Sequence, residues 1–117
     1  MGIFKSRRDR TAALEADALE RRVLRARPPA HAGRLAEVEA ELRECLDEAE
    51  SRFGDGHAVT QLALCELSIG LLKAHRTVEA ETGFRRLRIL TELFSAEHAC
   101  VRDARELLER AESAAAS

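Results

Sequence analysis

Two stretches of this 117-residue chain repeat each other, and this repeat constrains the fold more than any other feature of the sequence. The segment Arg34-Leu-Ala-Glu-Val-Glu39 aligns with Arg76-Thr-Val-Glu-Ala-Glu81 at an offset of 42 residues. Phe53-Gly-Asp-Gly-His-Ala58 aligns with Phe94-Ser-Ala-Glu-His-Ala99 at an offset of 41. Self-similarity at a period of roughly 20–50 residues is typical of arrays built from one repeated supersecondary unit. Each unit here is predicted to be a helix, a turn that contains His, and a second helix.

The composition of the chain favours helices. Ala, Arg, Leu and Glu supply 70 of the 117 residues, whereas there is no Trp or Tyr and there are only two Pro. These four residue types form helices readily, while a β-sandwich or barrel needs more β-branched and aromatic residues. Because 45% of the residues are hydrophobic, a disordered chain is also excluded. We therefore predict an all-α fold in a single domain.

Hydrophobic periodicity predicts where the helices lie. Five are expected, at about 8–27, 34–52, 58–74, 77–93 and 97–113. Pro28 and Pro29 end the first helix, and Gly54-Asp55-Gly56 ends the second. The third is apolar nearly all round, which predicts a helix buried on all sides. The domain then covers 8–113, between a basic tail at 1–7 and a frayed end at 114–117.

The other helices have narrower apolar faces, and these faces predict the core. The expected core positions are Ala12, Ala16, Leu19, Val23 and Ala26 in the first helix, Leu35, Val38, Leu42, Cys45, Leu46, Ala49 and Phe53 in the second, Ala80, Phe84, Leu87, Leu90 and Leu93 in the fourth, and Val101, Ala104, Leu107, Leu108 and Ala111 in the fifth.

The motifs on either side of the third helix match a known pattern. His57-Ala58-Val59 precedes it, and His75-Arg76-Thr-Val-Glu79-Ala80-Glu81 and then Phe84-Arg85-Arg86 follow it. In the first helix of this pattern, large, large, small and large positions are held here by Leu64, Leu67, Ser68 and Leu71. In the second helix, a small and an aromatic position are held by Ala80 and Phe84. On these motifs the chain resembles the tetratricopeptide repeat (TPR) family over residues 34–113, in the longer variety found in kinesin light chains and many bacterial proteins.

The resemblance implies an antiparallel helix-turn-helix array, with departures from the family pattern. Ala58 and Ala99 replace Pro, His75 stands where the family has Gly, and Leu87 replaces a small residue. An unrelated antiparallel helical bundle is the alternative fold.

The resemblance also implies a groove for a peptide or a helix, lined by the third helix. By this likeness the groove-facing residues are Leu62, Cys65, Ile69, Leu72 and Lys73. They are mostly apolar and lack the family's clamp for an acidic carboxyl terminus. An apolar groove requires a cover, which the chain's own helix 8–27, a second copy, or a partner helix can supply. The array is short for its class, which favours a homodimer.

The charge of the chain is unevenly distributed. Residues 1–28 carry a net charge of +4 and residues 29–117 carry −6, so that the total is −2. A chain with this total charge is not built to coat nucleic acid. Arg85, Arg86 and Arg88 form a basic cluster that can bind phosphate or an acidic peptide, although Glu81 and Glu92 favour local ion pairs with it. A second hypothesis is an accessory protein that docks on nucleic acid or a membrane surface through the basic N-terminus.

The sequence contains no pattern that predicts catalysis or metal binding. The four His and three Cys lack zinc-site spacings, so we expect neither a metal nor a cofactor. Cys45, Cys65 and Cys100 are expected to be reduced, small hydrophobic residues of a cytoplasmic bacterial protein. No apolar run approaches the ~18 residues of a membrane span. We therefore predict a non-catalytic protein–protein interaction module that binds a protein partner or a second copy of itself.

Overall fold

A computed structural model describes residues 7–28 and 33–94, together with the single position 109. Within this part of the chain there are four helices and no strand, which confirms the all-α prediction. The helices are α1 (Arg7–Arg25), α2 (Leu35–Phe53), α3 (Ala58–Lys73) and α4 (Thr77–Phe94). The count is four instead of the expected five or so, because the fifth predicted helix lies outside the described residues except for Glu109. The N-terminal tail before Arg7 and the C-terminal end are outside them as well.

The boundaries of α2 and α4 reproduce the sequence repeat. Their first residues, Leu35 and Thr77, are 42 positions apart, and their last residues, Phe53 and Phe94, are 41 apart. Each helix also begins with an ion pair between Arg and the Glu three positions later: Arg34 with Glu37 at 3.2 Å, and Arg76 with Glu79 at 2.6 Å. The two segments therefore adopt the same local structure as well as sharing a sequence pattern.

Helix α3 is the central element, because α1, α2 and α4 all pack against it. Every residue from Val59 to Ser68 is buried, and so is Leu71. This burial confirms the prediction from its all-round apolar pattern. The polar residues at its N-terminal end also find partners, since the Thr60 hydroxyl donates to the Gly54 carbonyl at 2.7 Å. The Ser68 hydroxyl donates to the carbonyl of Leu64 within the same helix.

The ion pairs between helices show in which direction each helix runs. In α1 and α2, Arg22 contacts Glu48 while the earlier Glu15 contacts the later Arg52, so these two helices run antiparallel. Helices α2 and α4 run in the same direction, because residues later in α2 contact residues later in α4. Those contacts are Arg76 with Glu39, Arg43 with Glu79, and Arg86 with Glu50.

Hydrogen bonds define the turn between α2 and α3. Gly54 has a φ of 82°, a region that glycine enters without strain, and its N–H donates to the carbonyls of Ala49 and Glu50. His57 caps α3, since its Nδ1 accepts from the Val59 N–H at 3.1 Å. Its ring lies 4.9 Å from that of Phe53. The turn role predicted for His57 is confirmed, whereas the equivalent His98 lies outside the described residues.

Most of the predicted core positions in the described helices are buried, while those of the fifth predicted helix lie outside the described residues. In the first, second and fourth helices the buried predicted positions are Ala16, Leu19, Val23, Ala26, Val38, Leu42, Cys45, Leu46, Ala49, Ala80, Phe84, Leu87 and Leu90. Ala12, Leu35 and Phe53 are partly exposed. The prediction for Leu93 was wrong, because its side chain is 69% exposed. Leu93 lies nine positions after the buried Phe84, which at about 100° per residue places it on the opposite side of α4, and Thr91 is buried instead.

Helices α3 and α4 are closely packed at Gly83. A Cβ placed on Gly83 would lie 2.1 Å from Ser68 Oγ and 3.2 Å from Ser68 Cβ. Real Cβ atoms do not come this close to another heavy atom, so only glycine fits opposite the small residue Ser68.

We expect Gly83→Ala to destabilise the fold by roughly 1 kcal/mol or more. The gain in helix propensity, about 1 kcal/mol, is smaller than the cost of overpacking, about 1–3 kcal/mol. Urea denaturation measures the change, and Gly33→Ala is the control because its added methyl group meets nothing within 4 Å. Ser68→Ala should remove much of the penalty when combined with Gly83→Ala. Additive effects of the two substitutions would contradict the close contact.

The turn between α3 and α4 holds a strained residue. His75 has a φ of 62°, in the left-handed region that a non-glycine residue enters only at a cost. The Arg76 N–H donates to the carbonyl of Leu71 at 2.9 Å, which fixes the chain in this turn.

We expect His75→Gly to stabilise the protein by about 0.5–1 kcal/mol. Relief of left-handed strain, of order 1–3 kcal/mol, outweighs the larger conformational entropy that glycine has in the unfolded chain. Thermal unfolding checks the result. Ala74→Gly, at the neighbouring position with a φ of −83°, should instead destabilise. Equal losses in both variants would argue against strain at His75.

Candidate functional site

The predicted groove residues of α3 do not form one open apolar surface. Leu62 and Cys65 are 3% and 0% exposed, so they belong to the core. Ile69 and Leu72 are partly buried and pack against that core, while Lys73 is exposed. Of the predicted groove residues, those at the C-terminal end of α3 are therefore the ones that lie near solvent.

The residues that directly follow α1 lie beside this part of α3. Arg27 Nε donates to Glu66 Oε1 at 3.1 Å, and Glu66 is only 2% exposed. One turn further along α3, a Cβ added to Gly70 would lie 3.3 Å from Pro28 Cγ. The chain's own first helix and the residues after it thus contact α3.

Helix α1 is also attached to α2 by a network around Arg22. Its Nη2 donates to Glu41 Oε1 at 3.0 Å, its Nη1 donates to Glu48 Oε2 at 2.8 Å, and Glu44 lies at 3.7 Å. Burial lowers the pKa of Arg22, but the carboxylates raise it more, so the guanidinium stays charged. Part of the positive charge of residues 1–28 is thus paired with acidic residues of α2.

The basic cluster of α4 pairs differently from the expectation. Among the described residues, neither Glu81 with Arg85 nor Glu92 with Arg88 forms an ion pair. Arg86 instead contacts Glu50 at 2.9 Å and Asp55 at 3.3 Å, on α2 and the turn after it. Arg85 is exposed and Arg88 is partly buried.

A groove between α2 and α4 was not predicted from the sequence. Its volume is about 310 Å³. The floor contains Leu46, Leu64, Leu67 and Leu71, and the rim includes Arg43, Glu79 and Arg86. The floor residues are buried, whereas Val78 at the rim is 78% exposed. The sequence repeat was the available signal, because two equivalent helices that both pack on α3 must leave a groove between them.

The two described cysteines differ in their bonding. Cys45 is free and fully buried, and burial raises the pKa of its thiol to about 11, which disfavours a reactive thiolate. Cys65 is disulfide-bonded, which contradicts the expectation of three reduced thiols. Cys100 lies outside the described residues, as does His31.

Within the described part of the chain, no three residues of the types His, Cys, Asp and Glu lie close enough together to hold a metal ion. Nor does any described helix have the length and apolar character needed to cross a membrane. The sequence matches no family model, no curated protein and no solved structure.

Glu66 should make the stability of the fold depend on pH. Burial raises its pKa above the ordinary value of 4.5, although Arg27 opposes this. The native state therefore holds the proton more tightly than the unfolded state, and stability falls as pH rises through the folded pKa. Because Gln cannot ionise, we expect Glu66→Gln to become progressively more stable than wild type as pH increases from 4 towards 7.

Urea denaturation at several pH values measures this difference. Glu79→Gln is a control of opposite sign, because the hydrogen bond from Arg76 lowers the pKa of Glu79. That variant should lose stability relative to wild type over the same range. A difference between Glu66→Gln and wild type that stays constant with pH would contradict the role of burial.

Proposed function

We propose that this protein is a non-catalytic protein–protein interaction module, a short TPR-like array of antiparallel helices. The observation that carries the proposal is the C-terminal end of α3. There Ile69 and Leu72 are only partly buried and Lys73 is exposed, so apolar side chains with one cation are available to a partner helix or peptide. Helix-in-groove recognition uses this combination of apolar contacts with charges at the edge.

Two local features support the TPR-like part of the proposal. His75 has a positive φ at the position where the TPR pattern has glycine, so the turn has the geometry that this glycine would permit. Ser68 holds the family's small position and lies against Gly83 of α4, where a larger residue would not fit.

The bonds that several polar side chains make within the fold support a non-catalytic role. Thr60 and Ser68 bond to backbone carbonyls, and the buried carboxylate of Glu66 binds Arg27. Cys45, as a buried thiol with a raised pKa, is a poor nucleophile. These groups serve the structure of the helices.

Affinity purification with the full chain tests the proposal when two variants are compared. Ile69→Asp should abolish capture of a partner that binds the end of α3, because an ionised carboxylate there disfavours apolar contact. Ile89→Asp is the matched control, since Ile89 is 56% exposed on α4. Each captured protein is then purified, and its affinity for wild type, Ile69→Asp and Ile89→Asp is measured. Thermal unfolding verifies that both variants are folded.

The expected result is binding to wild type and Ile89→Asp, with a loss of about tenfold or more for Ile69→Asp. Light scattering on the purified chain distinguishes a second copy from a foreign partner. A single-chain mass, together with no captured protein that distinguishes Ile69→Asp from wild type, would contradict the proposal.

The second hypothesis is that the protein docks on nucleic acid or a membrane surface through its basic N-terminus. Arg7, Arg10 and Arg21 are exposed on α1, whereas Arg22 is used in the contact with α2. Docking on DNA or anionic vesicles should then be measurable at ~50 mM salt and fall steeply as salt increases. If no binding occurs at that salt concentration, the hypothesis is wrong.

A further inference from the structure

The outer face of α1 is rich in arginine. Four of the six arginines of this helix lie within about 40° of Leu14 around the helix axis, since successive residues are about 100° apart. The buried Leu19 and Val23 lie on the opposite side of the helix. These four arginines and Leu14 are all exposed. We name this face the arginine ridge; its residues are Arg7, Arg10, Leu14, Ala18, Arg21 and Arg25.

Most of the arginine ridge is left out of the ion pairs that hold α1 on the fold. Those pairs use Glu15, Arg22 and, directly after the helix, Arg27. The acidic residue of α1 nearest to the ridge is Asp17, at about 60° from Leu14. Within the described part of the chain, three arginines of the ridge form no ion pair: Arg7, Arg10 and Arg21. Their charge is therefore available to an anionic partner.

The arginine ridge is long and convex. It runs from the first to the last residue of a 19-residue helix, which is about 27 Å at 1.5 Å per residue. Helix α1 packs on α2 and α3 with its other side, so the ridge faces away from both. A convex line of charge cannot enclose a small anion, but it can lie along a broad anionic surface with several cations in contact at once.

The spacing of the arginines favours a lipid surface over a folded acidic partner. Arg10 follows Arg7 by three positions, whereas Arg21 follows Arg10 by eleven. A folded partner would need carboxylates at the same uneven spacing. Anionic lipids move laterally within a bilayer and can collect beneath cations at any spacing, so the ridge needs no matching pattern on the other side.

The leucines of the outer face favour a bilayer over nucleic acid. Leu14 lies in the middle of the arginine ridge and is 67% exposed, and Leu24 at its flank is 40% exposed. At a bilayer surface an apolar side chain can enter the boundary between headgroups and acyl chains, while the guanidinium groups stay at the level of the headgroups. The phosphates of DNA also pair with arginine, but they offer Leu14 no apolar surface.

We propose that α1 docks on an anionic lipid bilayer through the arginine ridge, with Leu14 entering the boundary between headgroups and acyl chains. Helix α1 then lies in the plane of the membrane surface. The inference rests on the second hypothesis above, docking through the basic N-terminus, and assigns to it one face of α1 and one kind of surface. It uses a different surface from the end of α3, so it does not depend on a protein partner there.

Cosedimentation of the full chain with lipid vesicles tests the inference. Vesicles that contain phosphatidylglycerol and phosphatidylcholine should bind the chain at ~50 mM salt, and binding should fall steeply as salt screens the charges. Vesicles of phosphatidylcholine alone should not bind it. The inference is overturned if the anionic vesicles do not bind the chain at ~50 mM salt.

A matched pair of charge reversals locates the contact. Arg21→Glu on the ridge and Arg85→Glu on α4 change the net charge equally, and both side chains are exposed. We expect Arg21→Glu to weaken vesicle binding about tenfold or more, since one arginine near an anionic surface strengthens binding about fivefold. Arg85→Glu should change it less than about threefold. Equal losses would place the contact elsewhere and overturn the inference.

A second pair of variants distinguishes a bilayer from other anionic partners. Leu14→Ala should weaken vesicle binding about threefold or more, because less apolar surface enters the bilayer. Val78→Ala is the control, since Val78 is 78% exposed on α4. Both variants should bind duplex DNA as wild type does, and thermal unfolding verifies that all variants are folded.

Binding to duplex DNA or to polyglutamate as tight as that to anionic vesicles, with no effect of Leu14→Ala on the vesicles, would overturn the inference. If DNA alone binds the chain, the inference fails while the second hypothesis survives in its nucleic-acid form. A partner that is lost in Ile69→Asp reports on the end of α3, so failure of the proposed function is measured separately.

Discussion

The burial of α3 on all sides is the interaction on which the rest of the structure depends. Ten consecutive residues, from Val59 to Ser68, are removed from water, so α3 cannot be stable without neighbours. Truncation of a buried leucine typically costs about 2–5 kcal/mol, a large part of the stability of a small domain. The short turns on either side place α2 and α4 against α3, and the small pair Ser68 and Gly83 allows a close approach of α3 and α4.

Ion pairs between the helices favour one orientation of the helices around this apolar core. The pairs between α2 and α4 cross the groove above α3, and the Arg22 network aligns α1 with α2. Most of these side chains are partly exposed, so each pair contributes little stability, about 0–1 kcal/mol, while it selects orientation. Helix α1 depends more on such pairs than α4 does, because among its described side chains Leu19 and Val23 are the large buried ones.

Periodicity predicted the boundaries of the described helices to within two residues, and the repeat predicted the equivalence of α2 and α4. Such signals are local and depend on the spacing of apolar residues. Features that depend on distant parts of the chain were missed. Arg86 pairs with Glu50 and Asp55 on a neighbouring helix, and the spacing of cysteines did not reveal the disulfide at Cys65. Leu93 was assigned to the core because it is apolar, although helical geometry places it opposite Phe84 and the polar Thr91 takes the buried position.

Native-state hydrogen exchange tests the central claim most directly, because it reports the stability of each helix separately. The account predicts that the amides of residues 59–68 in α3 exchange only through global unfolding. Those of α1 should exchange at least about tenfold faster, through local opening of its contacts with α2 and α3. Equal protection of α1 and α3, or faster exchange in α3 than in α1, would contradict a fold built around a buried central helix with a separable first helix.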